Sequence, residues 1–231
     1  RIVRVRPEVV EVASADTAGV GSTIRALSEP FEKRVLLLVL AVAFLIFAPS
    51  LTNGFALDDV SFVQSVAPDG TPHPVIFGLK EPWWYFGQKY TAGSASASFE
   101  YRPTTTLSFA LVYNLLSAPF LPASFEALPH HLFNVLVHVL AVFMVWRWLR
   151  DLGAGATVAL LAAGGFAVCG IHSEAVAGIV GRADPMGTVL GLWALRLFDR
   201  GRVGWAAFAF FLAFGTKESA LAWAPFLVCH L

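Results

Sequence analysis

The sequence predicts an all-α membrane protein, a helical bundle of about six spans with a long external first loop that carries interfacial helices. Of the 231 residues, 57% are hydrophobic and only 14% are charged, and the mean hydropathy is +0.67. An average soluble domain carries about 25% charged residues. The apolar residues also gather into long uncharged runs, as expected of helices that cross a bilayer. The formal net charge of zero gives no indication of a nucleic-acid partner.

Residues 1–33 are predicted to form a cytoplasmic leader that is partly disordered. They mix arginines with a weakly alternating segment and then Gly, Ser and Thr, and they lack the apolar core of a signal peptide. Residues 34–231 are predicted to form one transmembrane domain. Because the sequence ends within an apolar run, we expect it to be a piece of a longer chain.

The first span is predicted at residues 35–51, an uncharged run that is about 25 Å long as a helix and crosses most of a hydrocarbon core. Lys33 and Arg34 precede it, and the excess of Lys and Arg on the cytoplasmic side places this end inside. Asp58 and Asp59 therefore lie just beyond the outer end. Carboxylates at a bilayer edge are typical of an ion site, a proton site or a catalytic base. The alternative is a pair of solvated loop carboxylates.

Residues 52–102 are too polar and too rich in Pro and Gly to cross a membrane, so we predict an external loop. Its aromatic cluster at residues 83–90 suits the headgroup region. Next comes a run in which leucines recur at helical spacing opposite Thr105 and Ser108. We predict an interfacial helix over residues 103–116 rather than a true span, with an ordinary packed loop as a further alternative.

Five further spans are predicted, at residues 130–148, 157–171, 186–198, 203–214 and 219–231, the last of them cut off. Their inner junctions, with that of the first span, carry the basic residues that the positive-inside rule expects: Lys33, Arg34, Arg147, Arg150, Arg196, Arg200 and Arg202.

A polar stripe runs along the second span. His131, Asn134 and His138 are spaced by three and four residues, so they share one face of the helix. Such a stripe normally faces the bundle interior or a wet cavity. An interhelical hydrogen-bond seam is the alternative.

The span count brings ionisable residues from most of the chain to one external face. Carboxylates there can deprotonate an acceptor hydroxyl or hold a divalent cation, and Arg or Lys can stabilise a leaving phosphate. A cation site formed by Asp58, Asp59 and Glu174 lacks a supporting ligand spacing. No hydrolase, Walker or zinc-enzyme motif occurs. The catalytic candidates are Asp58 and Asp59, and the substrate-binding candidates are Arg102, His131, His138, His172, Glu174, Arg182, Lys217 and Glu218.

Five features together carry a family resemblance. They are the acidic pair after the first span, Tyr101-Arg102-Pro103, residues 131–138, residues 172–184 and Lys217-Glu218. These features, with residues 172–184 the most specific, resemble the transmembrane and tetratricopeptide repeat-containing (TMTC) family of GT-C glycosyltransferases. The resemblance covers the chain from residue 31 onward. It implies transfer of a sugar, typically mannose, from a polyprenyl-phosphate donor to Ser or Thr hydroxyls of exported proteins.

The resemblance also implies roles for single residues. Asp58 or Asp59 would be the catalytic acid residue of the first external loop, and Arg182 and Lys217 would be donor-phosphate ligands. The protein would be integral to a bacterial inner membrane or the endoplasmic reticulum, with its active face in the periplasm or lumen. Its partners would be membrane lipids, the lipid-linked donor and an exported acceptor, with a divalent cation as a candidate cofactor. The family's later spans and repeats are absent, and Ser173 stands where Thr is expected.

Two other function classes compete with the transferase. One is a non-catalytic scaffolding subunit that keeps a degenerate GT-C-like fold. The other is a transporter in which the polar stripe and Asp58 line a substrate path. Transporters usually place ionisable groups near the bilayer middle. In this chain nearly all of the ionisable candidate residues are predicted at the outer edge of the membrane.

Overall fold

The computed structural model of the chain describes the backbone of residues 12–66, 70–90 and 100–229, with side chains described between residues 29 and 226 of those ranges. Within them all regular structure is helical, which confirms the predicted all-α class. The described residues form two compact units, which divide between Leu38 and Val39. Of the predicted leader, residues 12–33 are helical, and the rest lies outside the described residues.

The α-helices of the described residues differ widely in length. In chain order they are α1 (Val12–Phe47), α2 (Asp58–Phe62), α3 (Pro82–Tyr85), α4 (Pro103–Val112), α5 (Ala127–Asp151), α6 (Ala156–Val168), α7 (His172–Ala177), α8 (Ala183–Asp199), α9 (Val203–Phe214) and α10 (Ala224–Cys229). Short 3₁₀ turns extend several of them, and a π-helical turn follows α4 at Tyr113–Ser117.

Two segments of the described chain are long and apolar enough to cross a membrane, Glu29–Thr52 with 24 residues and Ala123–Asp151 with 29 residues. They contain the first two predicted spans, which supports membrane association. The apolar helices α6 and α9 have only 13 and 12 residues. The sixth predicted span does not begin as a continuous helix, because Glu218–Trp223 is a 3₁₀ segment. The count of six spans stays a prediction.

Small side chains let the helices of the second unit pack closely. Ala163 and Ala167 of α6 meet Val142 of α5 in one buried cluster. Ala194 of α8 lies against Ala206 of α9 in another. Alanines at such contacts let helix backbones approach without a gap.

The C-terminal end of α5 is tied to α8 through Asp151. Its carboxylate pairs with Arg147 at 2.7 Å and with Arg196 at 2.5 Å. Two of the basic residues predicted at inner junctions therefore share one carboxylate, which fixes α5 against α8 at this end.

The segment between α1 and α4 packs on the protein through buried polar groups. Glu126 accepts hydrogen bonds from the Ser65 backbone N–H at 2.8 Å and the Ser65 hydroxyl at 2.9 Å. The Asn114 amide donates to the Ile76 carbonyl at 2.8 Å and accepts from the Gly78 N–H at 3.1 Å. These bonds hold the loop against α4 and the start of α5.

The predicted interfacial helix over residues 103–116 is shorter than expected, because α4 ends at Val112 and the π-helical turn follows. Thr105 and Ser108 are buried, whereas Leu111 and Leu115 are exposed. The polar face of this helix is therefore the one that packs inside the protein, since its hydroxyls bond to backbone carbonyls there. Whether α4 lies at the membrane surface stays a prediction.

Candidate functional site

Asp58 and Asp59 begin α2, and their carboxylates have different surroundings. Asp59 is buried at 2% exposure. Its Oδ1 accepts a hydrogen bond from the Val180 N–H at 2.9 Å, and its Oδ2 accepts one from the Ala56 N–H at 3.2 Å. Asp58 is exposed, and across the described residues nothing bonds to its carboxylate. The Asp59 carboxylate thus stabilises the local backbone, whereas the Asp58 carboxylate is available to bind a substrate or to accept a proton.

Two cavities meet at Asp58. The Lys217 cavity has a volume of about 570 Å³, and its charged lining residues are Asp58, Glu100, Arg102, Glu174, Asp184 and Lys217. The His131 cavity has a volume of about 490 Å³ and is lined by residues 53–59, His131, Glu174 and the backbone around Gly178. Asp58 and Glu174 line both, so two free carboxylates stand where the cavities adjoin.

The cations of the Lys217 cavity are each held by a carboxylate. Lys217 Nζ lies 2.8 Å from Asp184 Oδ2. Arg102 bonds to Glu100 at 3.1 Å and to Glu218 at 3.2 Å. A hydrogen bond from its own backbone, together with Arg102, lowers the pKa of Glu218. The cations are placed to receive an anion that competes with these carboxylates.

Arg182 does not line either cavity, because its side chain is fully buried. Its Nη2 lies 3.1 Å from the His130 carbonyl oxygen and 3.2 Å from the His130 Nδ1. The guanidinium lies over the rings of Phe109 and Phe133 at 4.5 and 4.8 Å. Burial lowers the pKa of Arg182 to about 9, which leaves it charged at neutral pH. The prediction that Arg182 grips a phosphate directly does not fit this position.

For the same reason the Arg182 guanidinium pairs with neither Asp184 nor Glu174. The side chain turns inward to α4 and α5, where it also approaches Ser108. Within the described chain no carboxylate bonds to it. Arg182 thus joins three parts of the fold beneath the cavities.

The three residues of the polar stripe on α5 have different surroundings: one lines a cavity, and two bond to neighbouring segments of the chain. His131 lines the His131 cavity, with its Nε2 3.4 Å from the Gly54 carbonyl. Asn134 donates to the Gly178 carbonyl at 2.8 Å, and the His138 Nε2 lies 3.3 Å from the Ala167 carbonyl. For Asn134 and His138 the alternative of an interhelical seam is therefore the observed one.

His138 and His172 lie beside each other, away from both cavities. Their ring centroids are 5.3 Å apart, and the His172 ring lies 4.3 Å from that of Phe166. Burial lowers the pKa of His172. Neither histidine lines the Lys217 or the His131 cavity, so their predicted part in substrate binding has no support in this geometry.

The arrangement does not favour a metal site. Across the part of the chain that the structure describes, no three His, Cys, Asp or Glu side chains converge to hold an ion. Asp58, Asp59 and Glu174 all line the His131 cavity, but the Asp59 carboxylate is already bonded to two backbone N–H groups. A cation site at these three residues stays a prediction.

Two residues of the site were missed as candidates from the sequence. Tyr90 is buried, stacks on Phe62 at 5.0 Å and lies 4.9 Å from the Arg102 guanidinium carbon. Burial raises the pKa of Tyr90. A methyl group at Gly181 would lie 2.5 Å from the Glu174 carbonyl oxygen, so only Gly lets α7 and the next turn close together. In the sequence, the glycine before Arg182 indicated a close approach of two backbone segments. Nothing in the sequence indicated that Tyr90 lies in the site.

Fold and site together define a helical protein that has, within its described residues, two helices long and apolar enough to cross a membrane and two adjoining cavities that share the carboxylates of Asp58 and Glu174. The chain is 27% identical over 204 residues to Protein O-mannosyl-transferase F38B6.6 of Caenorhabditis elegans, which is 85% of this chain and 28% of that protein. It is 33% identical over 161 residues to Protein O-mannosyl-transferase Tmtc1 of Drosophila melanogaster, or 69% of this chain and 17% of that protein. With Protein O-mannosyl-transferase TMTC3 of Mus musculus it shares 33% identity over 176 residues, or 74% and 17%.

These relatives confirm the resemblance of the chain to the TMTC family. It spans less than a third of the length of the curated relatives described above. No family model matches the chain, and no solved structure matches it.

Proposed function

We propose that this chain forms the membrane-embedded part of a GT-C glycosyltransferase. It would transfer a sugar, mannose in the simplest case, from a polyprenyl-phosphate donor to Ser or Thr hydroxyls of exported proteins. The observation that carries the proposal is the position of Asp58, a free carboxylate at the meeting point of two cavities, one of which holds Arg102 and Lys217. The names of the relatives favour the same activity.

The proposed topology has six spans, with the cavities on the periplasmic or lumenal side. The residues at the two ends of α5 support this topology. His131 lies near the N-terminal end, and Asp151 with its paired arginines lies at the C-terminal end. Twenty residues of α-helix separate them by about 30 Å, the thickness of a hydrocarbon core. Basic residues collect at the Asp151 end, as the positive-inside rule expects of a cytoplasmic face.

In the proposed reaction the Asp58 carboxylate takes the proton of the acceptor hydroxyl. The hydroxyl oxygen forms a bond to C1 of the sugar, and the bond between C1 and the phosphate oxygen breaks. The electron pair of that bond leaves with the polyprenyl phosphate. Lys217 and Arg102 stabilise its negative charge, because cations at a developing anion lower the barrier.

The donor must first compete for these cations. Lys217 is held by Asp184 and Arg102 by Glu100 and Glu218, and all of these side chains except Arg102 are at least 30% exposed. Exposed ion pairs are worth only about 0 to 1 kcal/mol. A phosphate ester can therefore displace the Asp184 carboxylate from Lys217 at little cost.

A transfer assay on the full-length protein tests the proposal. The purified protein in detergent is given polyprenyl-phosphate mannose and a Thr-containing peptide, and mass spectrometry detects a hexose on the Thr. We expect the hexose to appear with release of polyprenyl phosphate. Donor binding without any transfer would reject catalysis, and absence of both would favour the scaffolding subunit.

A further inference from the structure

We propose that the His131 cavity binds the acceptor polypeptide, and that the backbone of Gly54 and Phe55 and the side chain of Leu57 contact it. This inference rests on the proposed function and names the substrate of one of its two cavities. The occupant is an extended polypeptide segment that presents a Ser or Thr hydroxyl to Asp58.

The charges of the two cavities differ in a way that assigns their substrates. Arg102 and Lys217 line the Lys217 cavity, whereas no Lys or Arg is among the described residues that line the His131 cavity. A phosphate needs cationic donors, so the donor phosphate belongs to the Lys217 cavity. The uncharged hydroxyl substrate is left with the His131 cavity. Asp58 reaches both, as a base between an acceptor and a donor must.

Leu57 has an unusual backbone for a residue with a branched side chain. Its φ is 49° and its ψ is −117°, a corner conformation that glycine favours. Its side chain is 92% exposed, so packing within the chain does not repay the strain. Strained positions that persist beside a reactive group are a sign of function. A large apolar side chain at the rim next to Asp58 is suited to contact a bound substrate.

The backbone beside Leu57 offers unused hydrogen-bonding groups. Asn53 has an extended conformation, and throughout the described residues nothing pairs with the backbone N–H groups of Gly54 and Phe55. An extended peptide can pair with such a segment as an added strand. Hydrocarbon tails could not satisfy these N–H groups, which favours a polypeptide over a lipid at this place.

Two substitutions in the full-length protein test the inference. Gly54→Leu fills space at the cavity, and the fold accommodates it, because a Cβ there meets nothing within 4 Å and the φ of Gly54 is not in the left-handed region. Leu57→Gly relieves the strained backbone and removes the apolar contact. Gly155→Leu is the matched control, since a Cβ there also meets nothing within 4 Å and Gly155 lies before α6, away from both cavities.

The assay uses polyprenyl-phosphate mannose and a fluorescein-labelled decapeptide with one central Thr. Steady-state transfer gives the KM of each substrate, and fluorescence anisotropy gives peptide binding without donor. We expect the peptide KM to rise about tenfold in Gly54→Leu and in Leu57→Gly. The donor KM of both variants, and both KM values of Gly155→Leu, should stay within about twofold of the wild type.

Other results would overturn the inference. A rise in the donor KM alone would place the donor in the His131 cavity. Unchanged KM values in both variants would mean that the cavity is not used. If Leu57→Gly lost affinity for phosphatidylcholine vesicles but kept the peptide KM, Leu57 would be a membrane contact. Peptide binding that depends on Gly54 and Leu57 without any sugar transfer would reject the transferase and retain the polypeptide site.

Discussion

The Asp59 carboxylate accepts a 2.9 Å hydrogen bond from the backbone N–H of Val180, which lies 121 residues further along the chain. This bond joins the start of α2 to the turn that precedes α8. It therefore also fixes the position of Asp58, the residue next to Asp59. The acidic pair therefore divides into one residue that holds the backbone and one that faces the cavities.

Asp59→Ala should destabilise the protein. The substitution removes two part-buried hydrogen bonds, those from the N–H groups of Val180 and Ala56 to the carboxylate, which costs about 1–3 kcal/mol. Thermal unfolding of the full-length protein in detergent would measure the loss. Asp58→Ala is the matched control, because the Asp58 carboxylate is exposed and unpaired among the described residues, and its Tm should not fall. Equal Tm values for the two variants would contradict the division of roles.

Gly181→Ala should disturb the junction of the two cavities. A methyl group there would lie 2.5 Å from the Glu174 carbonyl oxygen, so α7 must shift, at a cost of about 1–3 kcal/mol. We expect a lower Tm and reduced transfer. Gly170→Ala serves as the control, because a Cβ at Gly170 meets nothing within 4 Å. A Gly181→Ala protein with wild-type Tm and activity would show that this approach is not needed.

Arg182→Lys should lower the stability of the protein, whereas Lys217→Ala should weaken donor binding. Lys cannot reproduce the forked contacts of Arg182 to His130 or its stacking on Phe109, so we expect a stability loss of about 2 kcal/mol or more. Lys217→Ala should keep the Tm and weaken donor binding by about 1.5–3 kcal/mol, the value of a charged hydrogen bond. Thermal unfolding and direct binding of polyprenyl-phosphate mannose measure the two quantities. A wild-type Tm in Arg182→Lys with lost donor binding would restore Arg182 as a phosphate ligand.

The partly buried His172 should make stability depend on pH. Burial lowers its pKa below the ordinary value of 6.5, so the folded protein binds a proton less readily than the unfolded chain. Its stabilising contribution is complete above pH 6.5 and is lost as the pH falls towards the folded pKa. His172→Gln should reduce this acid-side loss of Tm. An unchanged slope of Tm against pH below 6.5 would contradict the assignment.

The sequence predicted the parts of the fold that depend on local hydropathy. The first two spans and the place of the acidic pair follow from uncharged runs and their basic flanks. The different roles of Asp58 and Asp59 do not, because they depend on which carboxylate meets Val180, far along the chain. Arg182 was misjudged for a similar reason. A span count puts it at the membrane edge, but its burial depends on how α4 and α5 pack around it.

The most direct test of the account concerns Asp58 as the base. Asp58→Asn in the full-length protein keeps the shape of the side chain and removes its charge. Loss of a general base costs about 10²–10⁴-fold in rate. Glu174→Gln is the matched control, because Glu174 is the other free carboxylate shared by both cavities. We predict that kcat for mannose transfer falls about 10³-fold in Asp58→Asn, with unchanged Tm and donor binding, and that Glu174→Gln keeps most of its activity. Normal transfer by Asp58→Asn would contradict the central claim.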